Sequence, residues 1–221
     1  MPIMITVLLI LGMTACGSNG GNTSAEASVS SDSVSSGSEA AADGAAVAEE
    51  GSSAESGKES PEQGSGTLVV YFSATGTTKG VTEKIAGISG ADIYEIKAAQ
   101  EYTEADLDWN DSDSRTTHEQ DDPSVRPEIG SDTISLDGYD TIYIGYPIWW
   151  GEEPRIMDTF VESYDFDGIT MIPFCTSGGS GIGISGKNLE ENAGSGNWLD
   201  GERLQGSISE DELRSWMEGL Q

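Results

Sequence analysis

Thr67-Leu-Val-Val-Tyr-Phe72 runs straight into Ser73-Ala-Thr-Gly-Thr-Thr78, and what this junction forms decides the fold. β-Branched and aromatic residues give way to small hydroxyl residues around Gly76, and beyond them Val81, Ile85 and Ile88 recur at helical spacing. The stretch therefore reads as strand, loop and helix. A loop that opens a helix leaves backbone N–H groups unpaired at the positive end of the helix dipole, so it attracts an anion. The hydroxyls of Ser73, Thr75, Thr77 and Thr78 flank Ala74 and add donors, while Gly76 permits close backbone approach or a positive φ.

The spacing is not that of a lysine-bearing nucleotide loop. No Gly-Lys-Ser or Gly-Lys-Thr follows, and Lys79 comes after the threonines, where a helix turns away. Neutral donors without a dedicated cation suit a phosphate monoester better than a triphosphate. The plain alternative is an ordinary βα turn with a good N-cap.

Two further strand ends carry informative loops. Tyr139-Asp-Thr-Ile-Tyr-Ile-Gly145 is apolar enough for a central strand covered on both faces, and it continues into Tyr146-Pro-Ile-Trp-Trp-Gly151. Trp149 and Trp150, between Pro147-Ile148 and Gly151, cannot both enter one core; a ring projecting from the loop tip would offer a plane for a flat heterocycle. One tryptophan in the core and one idle is the competing reading. Pro154 then opens a helix whose inner stripe is Ile156, Met157, Phe160 and Val161. Ile169–Cys175 is the next buried strand. Thr176, Ser177, Gly178, Gly179 and Ser180 follow it as a loop whose exposed N–H groups suit the carbonyl and ring-nitrogen edge of a ligand. Gly181-Ile-Gly-Ile-Ser-Gly186 imitates a dinucleotide fingerprint, but it sits in the fourth βα unit and too far past its strand.

Between these units, Asp92–Lys97 alternates as an edge strand does, and Glu101–Ser131 is an acidic, aperiodic excursion with one short helix expected near Asp106 or Thr116. Tyr102, Trp109 and Arg115 are the side chains able to pack it over a pocket, although a plain surface loop is the favoured reading. A helix from near Ser185, a short last strand within Trp198–Leu204, and a terminal helix opened by the capping box Ser209-Glu-Asp-Glu212 complete the chain. The pattern, βα repeated five times, predicts an α/β fold with a doubly wound five-stranded parallel sheet, strand order 2-1-3-4-5 and helices on both faces. That order sets the first, third and fourth strands side by side, so their loops meet at one carboxyl edge.

With three elements in this order over residues 66–221, the chain resembles the flavodoxins. Gly-Tyr-Pro-Ile-Trp-Trp-Gly and Pro-Phe-Cys-Thr-Ser-Gly-Gly-Ser-Gly look like a bacterial flavodoxin-like family often found as lipoproteins. The resemblance implies non-covalent FMN, with its phosphate at residues 73–78, its isoalloxazine against Trp149 or Trp150 and its pyrimidine near residues 176–180. The Gly151–Glu152 peptide would turn to bond the protonated flavin N5. One departure stands out: Thr176–Gly183 holds no aromatic residue to cover the outer flavin face, which stays open unless Tyr102 or Trp109 covers it.

At the amino end, Ile3–Met13 is an apolar run too short to span a membrane, and residues 1–15 read as a signal peptide. Met13-Thr14-Ala15-Cys16 resembles a lipobox, which implies a diacylated Cys16 and a lipid anchor in the membrane. Residues 16–65 then form a Ser/Gly/Ala/Glu tether without aromatics, which is expected to be disordered, and residues 66–221 form the folded domain. A formal net charge of −29 excludes nucleic acid as a partner and means that a protein partner should present a basic patch, with solubility the equally good reading of the acidity. The resemblance implies that such a partner is a redox protein. Cys175 reads as an inert buried thiol, and the lone His118 as solvated.

The leading expectation is an FMN electron carrier, lipid-tethered outside the cytoplasmic membrane. The alternatives are an FMN-dependent NAD(P)H or quinone oxidoreductase on the same fold, and a non-redox lipoprotein that binds another phosphorylated ligand.

Overall fold

The computed structural model describes residues 66–220. The expected signal peptide, Cys16 and the tether to residue 65 lie outside the described residues. Among those described, no helix is long and apolar enough to cross a membrane.

Strand β1, Thr67–Tyr71, leads through the loop into helix α1, Thr77–Ser89, and on to β2, Asp92–Glu95. The excursion contains helix α2, Arg115–Asp121. Then come β3, Thr141–Pro147; α3, Arg155–Val161; β4, Thr170–Thr176; α4, Ser185–Ala193; β5, Asn197–Trp198; β6, Glu202–Arg203; and α5, Glu210–Glu218. Every strand pairing is parallel, and the order is β2-β1-β3-β4-β5, with β6 also on β4. This is the doubly wound, flavodoxin-like sheet that the alternation of strand and helix patterns predicts.

The side-chain period of two explains the two cores. Leu68 and Val70 of β1, Ile142, Ile144 and Tyr146 of β3, and Met171 and Cys175 of β4 face α3 and α4. Val69, Tyr143, Ile172 and Phe174 face α1 and α5 through Val81, Ile85 and Leu213. On this second face Gly145 is required by packing: a Cβ there would come within 2.2 Å of the Phe174 ring.

The last strand departs from expectation, because it is two fragments. Met171 and Cys175 turn their carbonyls towards it, accepting from Leu199 and Leu204 at 2.9 and 2.8 Å. Pro173 lies between them on the same side and has no N–H to give. The ladder is broken there, and Leu199–Gly201 bulges past the proline. Strand β2 is also shorter than Asp92–Lys97, ending at Glu95. The excursion helix starts at Arg115, on a Ser114 cap whose hydroxyl accepts from the Thr117 N–H.

Candidate functional site

The carboxyl edge of the sheet gathers the three loops. Helix α5 has the predicted capping box, with Ser209 and Glu212 bonded reciprocally. Helix α1 has no such protection: its N-cap is Gly76, at φ +87, with no side-chain cap. The N–H groups of Thr77, Thr78 and Lys79 have no protein acceptor, and the Gly76 N–H donates back to Ser73 Oγ at 3.1 Å. Thr75, Gly76 and Thr77 are exposed, and nothing lies within 4 Å of the position a Gly76 Cβ would take. A ring of unpaired donors at a helix start, open to solvent, is an anion cradle.

Thr78 differs from its neighbours. It is buried, and its hydroxyl lies 2.9 Å from that of Thr176, also buried, so the two side chains fasten α1 to the end of β4. Thr176 also accepts from the Ile148 N–H at 3.0 Å through its carbonyl, tying the second loop to the third. Ser177, Gly178, Gly179 and Ser180 then run outward, with nothing within 4 Å of either glycine's missing side chain. The Ser177 hydroxyl donates to the Ser180 carbonyl and closes the bend.

Pro147 ends β3, and Trp149 and Glu152 exchange backbone hydrogen bonds of 2.9 and 3.0 Å. Trp150 and Gly151 form the two-residue turn between them at φ +50 and +92, the positive values that such hairpin turns need. Trp150 is the sole non-glycine with positive φ among the described residues, and the residue is 47 % exposed. Trp149 turns inward and packs edge-on against Phe72 and Tyr102, at 5.7 and 5.3 Å. Of the two adjacent indoles, Trp150 is left free to stack.

A cleft of about 360 Å³ opens here, lined by Thr75 of the first loop, Ile148, Trp149 and Trp150 of the second, and Leu107, Trp109 and Thr116 of the excursion. The third loop does not line this cleft. A larger cavity of about 420 Å³ lies at the amino ends of β1, β3 and β4, away from the loops.

Sequence reading missed the polar groups that hold the hairpin. Gln120 Nε2 donates to the Trp149 and Glu153 carbonyls at 2.9 and 3.1 Å. Arg155 bonds Glu152 Oε2 at 2.8 Å and the Gln120 carbonyl at 3.2 Å, and its guanidinium lies 3.6 and 3.8 Å from the buried Glu153 and Asp158. Burial first, then the neighbouring Asp158, pushes the Glu153 carboxyl up to about 7 against the opposing hydrogen bonds from Asn188 and the charge of Arg155. Cys175 is fully buried, and desolvation pushes its thiol up to about 12, which keeps it inert. His118 is exposed on α2.

The flavodoxin family model matches residues 66–220. The chain belongs to the flavodoxin family. Candidate flavoproteins of Bacteroides eggerthii and Bacteroides uniformis, solved as crystal structures, share 46 % and 47 % identity with it. Each covers 69 % of this chain, which spans 96 % and 97 % of theirs, at TM-scores of 0.65 and 0.66. A Lactobacillus acidophilus flavoprotein solved in complex with FMN is 26 % identical over 68 % of this chain and 97 % of its own, at a TM-score of 0.51. No curated protein matches. In this flavodoxin the three signature loops sit at the edge where a doubly wound sheet binds its ligand.

Proposed function

We propose that this flavodoxin binds FMN non-covalently at the carboxyl edge of its sheet and carries electrons between protein partners. The observation that carries this reading is that unpaired first-turn amides on α1 and the unpartnered Trp150 ring stand at one sheet edge, with Thr75 lining the cleft beside Trp150 and Thr176 tying the third loop to the other two. The donor set suits the group. The amides of Thr77, Thr78 and Lys79 and the hydroxyls of Ser73, Thr75 and Thr77 would hold the phosphate, the Trp150 ring would take the isoalloxazine, and residues 178–180 would meet its pyrimidine edge. Bound FMN supplies one- and two-electron transfer. The chain's part is to hold it away from water and to set its electrostatics. Neutral donors and abundant carboxylates disfavour added negative charge at the ring, which lowers its potential.

Lipidation of Cys16, with residues 16–65 as the tether, would place the domain outside the cytoplasmic membrane, and its acidity would select a redox partner with a basic face. An FMN-dependent NAD(P)H or quinone oxidoreductase is the second reading, favoured by the solvent-open mouth of the cleft.

Titration of the apoprotein with FMN and with riboflavin tests the cofactor. FMN should bind more tightly, because only it reaches the α1 cradle; equal affinities would remove the phosphate assignment. A carrier stays oxidised with NAD(P)H until a reductase is added, whereas rapid bleaching by NAD(P)H alone would favour the enzyme. Incorporation of labelled palmitate, abolished by Cys16→Ala, tests the anchor.

A further inference from the structure

All five tryptophans fall within the described residues. Three have settled ring partners: Trp149 on Phe72 and Tyr102, Trp198 on Phe166, and Trp216 on Tyr143 and Phe174. The remaining two, Trp109 and Trp150, make no ring contact and no side-chain hydrogen bond among the described residues. They are 73 % and 47 % exposed, and they line the same cleft. Burial of a large indole is strongly favourable, so two of them left exposed along one cleft point to a flat ring that would cover both.

We propose that Trp109 is the second wall of the cofactor site, so that the isoalloxazine lies between Trp150 and Trp109 and the acidic excursion replaces the aromatic that the third loop lacks. This rests on the FMN reading above. Thr75, from the anion cradle, lines the same cleft, which lets one ligand reach both the cradle and the indoles.

The two walls share one brace. Thr116 donates to the Asp106 carbonyl through both its hydroxyl and its N–H, at 2.6 and 3.2 Å, and so fastens the loop that presents Trp109 onto α2. Gln120 of the same helix bonds the Trp149 carbonyl at the base of the Trp150 hairpin. Arg115 pairs with Glu119 at 2.7 Å and lies 4.0 Å over the Tyr102 ring, which abuts Trp149. The backbone segments that carry the two indoles are therefore both fastened to α2. A ring covered on both faces exposes only an edge, which suits electron exchange with a protein partner better than hydride delivery, for which a donor must lie over a face.

The test is FMN titration of the full chain, its Trp109→Ala and Trp109→Phe variants, and Trp150→Ala, followed by flavin and tryptophan fluorescence. Trp109→Ala should weaken FMN binding about tenfold, on the scale of an aromatic stacking contact, and leave bound flavin more fluorescent. Trp109→Phe should recover most of the affinity, which a purely structural role at an exposed position would not produce. The thermal midpoint of the apoprotein should not change with Trp109→Ala. Equal FMN affinity and equal quenching in wild type and Trp109→Ala, with Trp150→Ala impaired, would overturn the second wall and leave the FMN reading standing. Failure of the wild type itself to bind FMN would remove both.

Discussion

The hydroxyls of Thr78 and Thr176 lie 2.9 Å apart in a fully buried contact that joins the first turn of α1 to the last residue of β4. Each satisfies the other, so removing one strands its partner in an apolar setting. Thr78→Val should cost about 1–3 kcal/mol in urea unfolding, and Thr176→Val a similar amount. The double variant should cost clearly less than the two singles together, because it leaves no orphan hydroxyl. Strict additivity would show that the contact does not form.

Trp150 is held at φ +50, a conformation that costs a bulky residue about 1–2 kcal/mol and that asparagine tolerates. Half exposed, the residue repays little of that cost by packing. Trp150→Asn should leave apoprotein stability unchanged or slightly raised, while FMN affinity falls. A loss of stability with affinity intact would mean that the indole serves the fold and not the ligand.

The sheet was legible in the sequence because short apolar runs and helical stripes alternate without ambiguity. The roles of Thr78 and Thr176 were legible in principle. Thr78 shares the helical phase of Val81, Thr82 and Ile85, all buried, and Thr176 shares the strand parity of Ile172 and Phe174. Residue type alone made these threonines look like ligand donors; phase points them inward. Which indole of the Trp149-Trp150 pair is free was not legible, since a turn with two positive φ values breaks strand parity. The excursion gave no period because it is held by individual polar contacts, from Thr116, Gln120 and Arg115 to backbone and to Glu119. Such bonds leave no apolar stripe to read.

Glu153 makes stability depend on pH in a direction opposite to most carboxylates. Its ordinary value near 4.5 is pushed up to about 7 by burial beside Asp158, opposed by Arg155 and Asn188. The folded state therefore binds more protons than the unfolded chain, and this contribution, complete below about pH 4.5, is lost as pH rises through about 7. The loss is on the order of a few kcal/mol. Asp106, Asp122, Glu162 and Glu212 are shifted downward by their hydrogen bonds and act in the reverse sense, so the whole-protein curve mixes both. The buried Asp158 is raised as well and shares Arg155 with Glu153, so the difference between wild type and Glu153→Gln reports Glu153 together with its neighbour. Relative to wild type, the variant should gain stability between about pH 5 and 7. A flat difference curve would mean that Glu153 ionises in the folded protein as it does in water.

Glycine serves two different purposes at the site, and alanine should separate them. At Gly145 an added Cβ would meet the Phe174 ring at 2.2 Å on the face packed by α1 and α5, so Gly145→Ala should destabilise by roughly 1–3 kcal/mol through overpacking. At Gly178 nothing lies within 4 Å and the backbone is not in the left-handed region, so the apoprotein should tolerate Gly178→Ala within about 0.5 kcal/mol. If that empty space is where a ring edge approaches the backbone, the same methyl must weaken FMN binding even though the fold is intact. Denaturation and FMN titration of the two variants therefore answer separate questions. A Gly178→Ala protein that binds FMN as tightly as wild type would place the ring edge away from the third loop, however well the rest of the site survived.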